Sequence, residues 1–441
     1  MRTKIAFIIA ILIMLCGCGE DTIDGSLRVP QLPEEYVEFN DEINKIKNEG
    51  FELVSPNGGT NRQSVQLTDL DNDGIDEGVA FFREIGNAHK VYAYFFEQNE
   101  EGYGITAKIE GSGDTVENVT YADLMGNGNN EVIIGWSLSD SGAKSVGVYS
   151  VTEEDSVKLC EVNSLYHIAC DLNGDMVNDL CVVYQDPADG KQKLAFYSQD
   201  EGNFIFRASA PLSAKSDVIL RIRAAYIDDM QPAVFVEKRH GSAGVITDVI
   251  TWKDEILKNL TYSDTAEESE KTARTYEMYC EDVDLDGALE IPIPGMPVNG
   301  EGEGEIIPGV SWYGVGKDYK LKAFTFRSSV EKWNVSLPLD WRNRCVAIYR
   351  KMSPSLNVST VYSYKEDGTR EELFSIMAIS GENREKNMEK LGYEKLSERG
   401  NTLYAIQIKK KRYLGYDITA EMLAERFTFR EAEWSTGEVV F

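Results

Sequence analysis

Histidine is almost missing from this chain: among 441 residues only His89, His167 and His240 occur. No two of them stand four apart and no H-E-x-x-H is present, so helix-borne zinc chemistry has no ligands. No G-x-S-x-G elbow offers a serine nucleophile. Gly314-Val315-Gly316-Lys317 lacks the spacing of a phosphate loop, runs into Asp318 and reads as a turn. Gly300-Glu301-Gly302-Glu303-Gly304 is an acidic flexible loop rather than a dinucleotide fingerprint. Positive charge is also short, with 45 Lys and Arg against 74 Asp and Glu and a net charge of −29. Such a surface repels phosphates and excludes nucleic acid as a partner. The one basic run, Lys409-Lys410-Lys411-Arg412, reads as a solvated strand edge or turn. A catalytic site has no residue-level support. Carboxylate pairs for glycoside cleavage are not excluded, because 74 acids make some such pair inevitable.

Long apolar runs are missing too, apart from Ile5–Leu15 behind Arg2 and Lys4. That run matches a signal-peptide core and falls short of the ~20 residues of a membrane-spanning helix. Leu15-Cys16-Gly17-Cys18 follows and resembles the lipobox of bacterial lipoproteins. The resemblance implies diacylglycerol transfer to the Cys18 thiol and cleavage after Gly17. Residues 1–17 are then the signal peptide, 18–30 an acidic tether, and the mature chain sits lipid-anchored on the extracellular face of a bacterial membrane. Cys16 is the poorer target, since Met14 and Leu15 before it are not small. Residues 31–50 predict a helix. Pro33, Glu34 and Glu35 suit its first turn, Tyr36, Phe39, Ile43 and Ile46 share one face, and Gly50 ends it.

The strongest signal is an internal repeat. Asp69-Leu70-Asp71-Asn72-Asp73-Gly74-Ile75-Asp76-Glu77 has a close copy in Asp282-Val283-Asp284-Leu285-Asp286-Gly287-Ala288-Leu289-Glu290. Asp171-Leu172-Asn173-Gly174-Asp175-Met176-Val177-Asn178-Asp179 keeps the oxygen-bearing positions. Asp123 to Glu131 is a worn copy with Met125 at the third position, and Tyr226-Ile227-Asp228-Asp229 is a remnant that runs into Pro232. Successive starts at 69, 123, 171, 228 and 282 lie 48 to 57 residues apart.

These loops predict calcium sites. Calcium takes six to eight oxygens at ~2.3–2.6 Å in flexible geometry. Side-chain oxygens at positions 1, 3 and 5 of a tight turn converge, a carbonyl at position 7 and a carboxylate at position 9 close the shell, and glycine at position 6 permits the turn. The expected ligands are Asp69, Asp71, Asp73, the Ile75 carbonyl and Glu77 in the first loop. In the third they are Asp171, Asn173, Asp175, the Val177 carbonyl and Asp179, and in the last Asp282, Asp284, Asp286, the Ala288 carbonyl and Glu290. Carboxylates packed this closely need a cation to offset their repulsion. The second loop, with Met125 in a ligand position, favours no metal. An EF-hand would need Glu at position 12, where Ala80, Val182 and Ile293 stand, and helices on both sides.

Each loop instead leads into a strand-like run, such as Gly78–Phe82 or Val132–Trp136. In the first repeat further strands are expected at Lys90–Phe96, Gly104–Ile109 and Val116–Tyr121. Four strands per ~50 residues is the blade of a β-propeller. The loop, its following strand and the period over about residues 51 to 330 resemble FG-GAP/VCBS repeats, known from integrin α-subunit propellers and many bacterial surface proteins. The resemblance implies a calcium-binding propeller, although the FG-GAP strand signature is poorly kept. Five starts suggest five blades, with room for a sixth or seventh, and the strand around Ser64–Leu67 is expected to close the ring on the last blade.

The expected fold is therefore mainly β: a propeller over 51–332, an N-terminal helix, and a small α+β domain over 333–441. In that last part Glu382–Leu391 and Asp417–Phe427 predict helices, the second capped by Asp417. Beyond the signal region Cys160, Cys170, Cys181, Cys280 and Cys345 remain. An odd number forbids complete pairing, and Cys170 with Cys181 suits either a disulfide or two buried thiols. The expected function is a non-enzymatic surface module that binds a protein or glycan, with structural calcium as its cofactor. The 22 Tyr and 6 Trp suit a recognition face. The alternative is an extracellular polysaccharide hydrolase or lyase.

Overall fold

The computed structural model describes residues 34–87, 90–99, 102–152, 156–295, 304–429 and 438–439. The signal peptide, Cys18, the tether, Pro33 and His89 lie outside the described residues. No helix among the described residues is long and apolar enough to cross a membrane.

The chain is mainly β. The first four sheets follow one another in chain order, each built on an antiparallel meander of neighbouring strands. The first holds Val65–Thr68, Glu77–Glu84, Val91–Asn99 and Gly102–Glu110, with Phe51–Leu53 as an added edge. The second runs from Thr115 to Asn163, the third from Tyr166 to Pro211 and the fourth from Ile219 to Asn259. Each acidic loop of the first three sheets is the hairpin connection between a sheet's first two strands. Thus Thr68 pairs with Glu77, Ala122 with Glu131 and Cys170 with Asp179.

Strand faces explain the packing. Val79 and Phe81 pack with Val132, Ile134 and Trp136 of the second sheet. Ile133 turns the other way, onto Leu180 and Val182 of the third, whose Cys181 and Val183 face Val234 and Val236 of the fourth. Both faces are thus buried, so the strand Glu131–Ser137 is buried along its whole length.

The ends of the row are closed by helices. Helix α1, Glu34–Asn48, sets Phe39, Ile43 and Ile46 against Ala80, Phe82, Tyr94 and Phe96. It ends at Gly50, whose φ of 100° suits glycine. A short helix, α2 at Arg384–Lys390, places Met388 on Met377 and Leu403 of the last sheet. This corrects the expected ring closure through Ser64–Leu67. Val65–Thr68 pairs with Glu77–Glu84 of its own sheet, and α1 covers the face that a closing blade would need.

The boundary expected at 332/333 falls inside a sheet. Trp333–Leu337 pairs with Lys320–Ser328, and Phe427–Phe429 returns to pair with it. Glu305–Ile307 crosses the other way to Cys345–Ser353 in the six-stranded last sheet. The expected helix at Asp417–Phe427 shrinks to α3, Ala420–Ala424. Asp417 pairs with Arg412 in a two-residue ribbon, and Thr419 is the cap, its side chain accepting from the Met422 N–H at 3.1 Å. The basic run lies in the turn after Thr402–Ile408, where Lys410 pairs with Glu371. All five described cysteines are free thiols.

Between Asn259 and Ile291 the chain makes little regular structure and is held by buried polar groups instead. Glu237 takes Arg274 Nη2 at 2.9 Å, Arg221 Nε at 2.8 Å and the Cys280 N–H at 2.8 Å. Asp248, fully buried, accepts from Ser213, Asn259 and Ser269.

Candidate metal centres

In the first loop the side chains curl the backbone round themselves. Asp71 accepts from the Asp73 N–H at 3.1 Å, Asp73 from Ile75 at 2.7 Å and Asp69 from Gly74 at 3.0 Å. Glu77, at the start of the next strand, accepts from the Leu70 N–H at 2.5 Å and so faces back into the loop. Gly74 has φ of 93°, and Gly287 of the last loop 90°. In the third loop Met176 must take φ of 70° at the same position, a left-handed conformation that costs a residue with a Cβ about 1–2 kcal/mol.

Ligand oxygens of Asp69, Asp71 and Glu77 lie within 4.8 Å of one another, and those of Asp282, Asp284 and Glu290 do the same. Oxygens on one cation at ~2.3–2.6 Å are separated by at most about 5 Å. Both clusters therefore have the geometry to hold a metal ion. Glu290 is fully buried, and its Oε1 has no hydrogen-bond partner, nor does Asp69 Oδ1. A buried carboxylate oxygen without a donor is costly, and a cation removes that cost. Burial raises the pKa of Glu77 to about 7 and that of Glu290 to about 8, and the neighbouring loop aspartates add to the effect.

The remaining expected ligands are placed differently. Asp73 is outside its loop's cluster, its Oδ1 engaged by Ile75. Asp286 is bound by Lys322 at 2.9 Å and accepts from the Ala288 N–H at 2.9 Å. In the third loop the Asn173 amide donates to Asp175 at 2.8 Å, so its Oδ1 would have to turn inward to serve a cation. Asp171 accepts from three backbone N–H groups, and burial raises the pKa of Asp179 to about 7. In the second loop Asp123 is engaged by the N–H groups of Met125, Gly126 and Gly128.

Lys322 is the charged neighbour of the last loop that sequence reading misses. Its ammonium sits 3.0 Å from Asp228 and 2.9 Å from Asp286, a built-in cation between the remnant turn and the last loop. No local motif signals it, because it stands 36 residues beyond Asp286 on a strand of the fifth sheet. Adjacent loops also touch. Asn130 donates to Leu70 O at 2.6 Å, Asn178 to Asp123 O at 3.1 Å and Leu289 to Tyr226 O at 2.9 Å, each through the eighth position of the later loop. The loops thus line up along one edge of the stacked sheets.

No family model and no curated protein matches the chain. Among solved structures, a rhamnogalacturonan lyase of Bacillus licheniformis aligns over 62% of this chain and 68% of its own, at 11% identity and TM-score 0.31. Rhamnogalacturonan lyase YesW aligns over 72% of this chain and 76% of its own, at 12% identity and TM-score 0.32. Likeness at that level transfers neither fold nor activity.

Proposed function

We propose that the chain is a lipid-anchored surface module in which propeller-like blades are braced by calcium and a free edge recognises a protein or glycan. One observation carries the calcium part: each of two loops converges three carboxylates, with a buried oxygen in each left without a donor. The all-oxygen ligand set suits a hard cation, and calcium tolerates the irregular geometry better than magnesium, which demands a near-ideal octahedron. Affinity of ~0.1–1 mM is expected for an extracellular module. The FG-GAP/VCBS resemblance and four strands per repeat support blades. Helix-capped ends make the row an open one.

The test is thermal unfolding of residues 18–441 with millimolar calcium, with magnesium and with chelator. A ligand that binds only the folded state raises its melting temperature. A rise with calcium, absent with magnesium, and its partial loss in Asp71→Ala and Asp284→Ala are expected. Equal melting under all three conditions, with no metal by elemental analysis, would overturn the calcium sites. The second reading is an extracellular polysaccharide hydrolase or lyase; the two solved structures are named as rhamnogalacturonan lyases. Release of reducing or unsaturated ends from polysaccharide by the calcium-loaded protein would establish it over the binding module.

A further inference from the structure

A second site lies at the opposite end of the same strands. The acidic loops follow the ends of Thr115–Ala122 and Tyr166–Cys170, whereas a cavity of about 230 Å³ gathers residues from their beginnings. Its lining includes Glu117, Gly135, Lys144, Ser164, Tyr166 and His167. Ser164 and His167 are only 4% and 6% exposed, yet Ser164 Oγ and His167 Nε2 have no hydrogen-bond partner. Buried polar atoms are normally satisfied, and these two stand unpartnered, beneath the surface, in residues that line one cavity. Gly135 lets the Asn118 and His167 side chains pack against its backbone. A Cβ there would lie 2.3 Å from Asn118 Oδ1 and 3.1 Å from His167 Cε1.

Charge narrows the ligand class. Lys144 pairs with Glu117 at 2.8 Å, and Glu117 also accepts from Ser137 at 2.7 Å and Asn57 at 3.3 Å. Burial lowers the His167 pKa to about 4, so the ring is neutral at physiological pH. The wall therefore offers no unpaired charge, and the −29 of the chain disfavours an anion. Hydroxyl groups both donate and accept, which matches Ser164 Oγ and either tautomer of His167. Tyr166, 43% exposed, adds an aromatic residue to the lining.

We propose that this cavity is a subsite for one neutral sugar unit, which stacks on Tyr166 and toward whose hydroxyls the buried Ser164 Oγ and His167 Nε2 turn to form hydrogen bonds. It rests on the binding-module reading and specifies a neutral glycan as its ligand.

The experiment titrates residues 18–441, in calcium, with the methyl glycosides of glucose, galactose, mannose and rhamnose. It reads calorimetric affinity and the His167 ring signals by NMR. At least one glycoside is expected to bind and shift those signals. Tyr166→Ala and Ser164→Ala are each expected to weaken it ~5-fold, about the weight of one neutral contact. Tyr276→Ala, an equally exposed tyrosine elsewhere, is expected to leave it unchanged. No shift of His167 with any glycoside, or unaltered affinity in the Tyr166 and Ser164 variants, overturns the subsite. Melting with and without calcium on the same samples separates the two ideas. A calcium effect without sugar binding removes only the subsite, and sugar binding without a calcium effect removes only the calcium bracing.

Discussion

At the scale of single residues, buried charge is decisive. Glu237 is 1% exposed and holds Arg274, Arg221 and the Cys280 N–H together. Removing one member of such a group leaves the others charged and unpaired, which costs about 3–5 kcal/mol. Glu237→Ala should therefore lose about that much in chemical denaturation, while an exposed acid such as Glu52 changed to Ala should stay within ~0.5 kcal/mol. A loss for Glu237→Ala as small as that of the surface variant would show that the network does not hold the 260–290 segment. None of this was legible in the sequence, because Glu237, Arg221 and Arg274 carry no spacing motif. By contrast Asp69, Asp71, Glu77, Asp282, Asp284 and Glu290 were legible as groups, since a tight turn brings alternate residues together whatever surrounds it. Asp73 and Asp286, expected as ligands too, fall outside these groups of three. The first is engaged by its own loop's backbone, and the second by a distant lysine.

At the scale of elements, the acidic loops of the first three sheets are hairpin turns, and backbone hydrogen bonds tie neighbouring loops together. A metal ion held in such a loop would thereby be coupled to sheet packing. In the last loop Lys322 already pairs with Asp286, so a divalent ion held there would have to compete with it for that carboxylate. Replacing it by a neutral residue removes an internal counter-cation and leaves the carboxylates more in need of calcium. Lys322→Gln should tighten calcium at this loop about fivefold, the order of a partly exposed ion pair. The check is calcium titration of Lys322→Gln in an Asp71→Ala background, which isolates the last loop. Weaker binding would mean that Lys322 positions Asp286 for the ion instead of opposing it. Helix α1 was readable from Phe39, Ile43 and Ile46, whose spacing defines one face. The extent of α3 was not, because Asp417 was drawn into a ribbon with Arg412 and Thr419 became the cap.

At the scale of the whole molecule, pH acts through the same carboxylates. Without metal, burial raises Glu77 to about 7, Asp179 to about 7 and Glu290 to about 8. In the unfolded chain such groups titrate near 4. Between about pH 4 and pH 8 the folded state thus holds protons that the unfolded state has released, so the contribution of these groups to stability falls as pH rises. A calcium ion held by Glu77 or Glu290 would displace those protons and remove that penalty. The calcium-induced rise in melting temperature should therefore grow from about pH 5 to about pH 8, with proton release measurable by calorimetry in buffers of different ionisation enthalpy. A calcium effect independent of pH would place the ion elsewhere.

The sequence by itself determined what depends on neighbours along the chain. That includes the mainly β character, the repeat and its loops, helix α1 and the absence of a zinc or nucleotide motif. Short-range geometry fixes those features, since a nine-residue acidic turn or a one-sided helix needs no distant partner to be recognisable. Tertiary structure decided what depends on which surfaces meet. It set α1 rather than a closing blade on the first sheet. It interlocked the fifth and sixth sheets across residue 333 through Glu305–Ile307 and Phe427–Phe429. It brought Lys322 to Asp286 and set Ser164 and His167 round one cavity. Strands buried on both faces carry apolar residues on each side, so their sequence demands a partner on either face without naming which element supplies it.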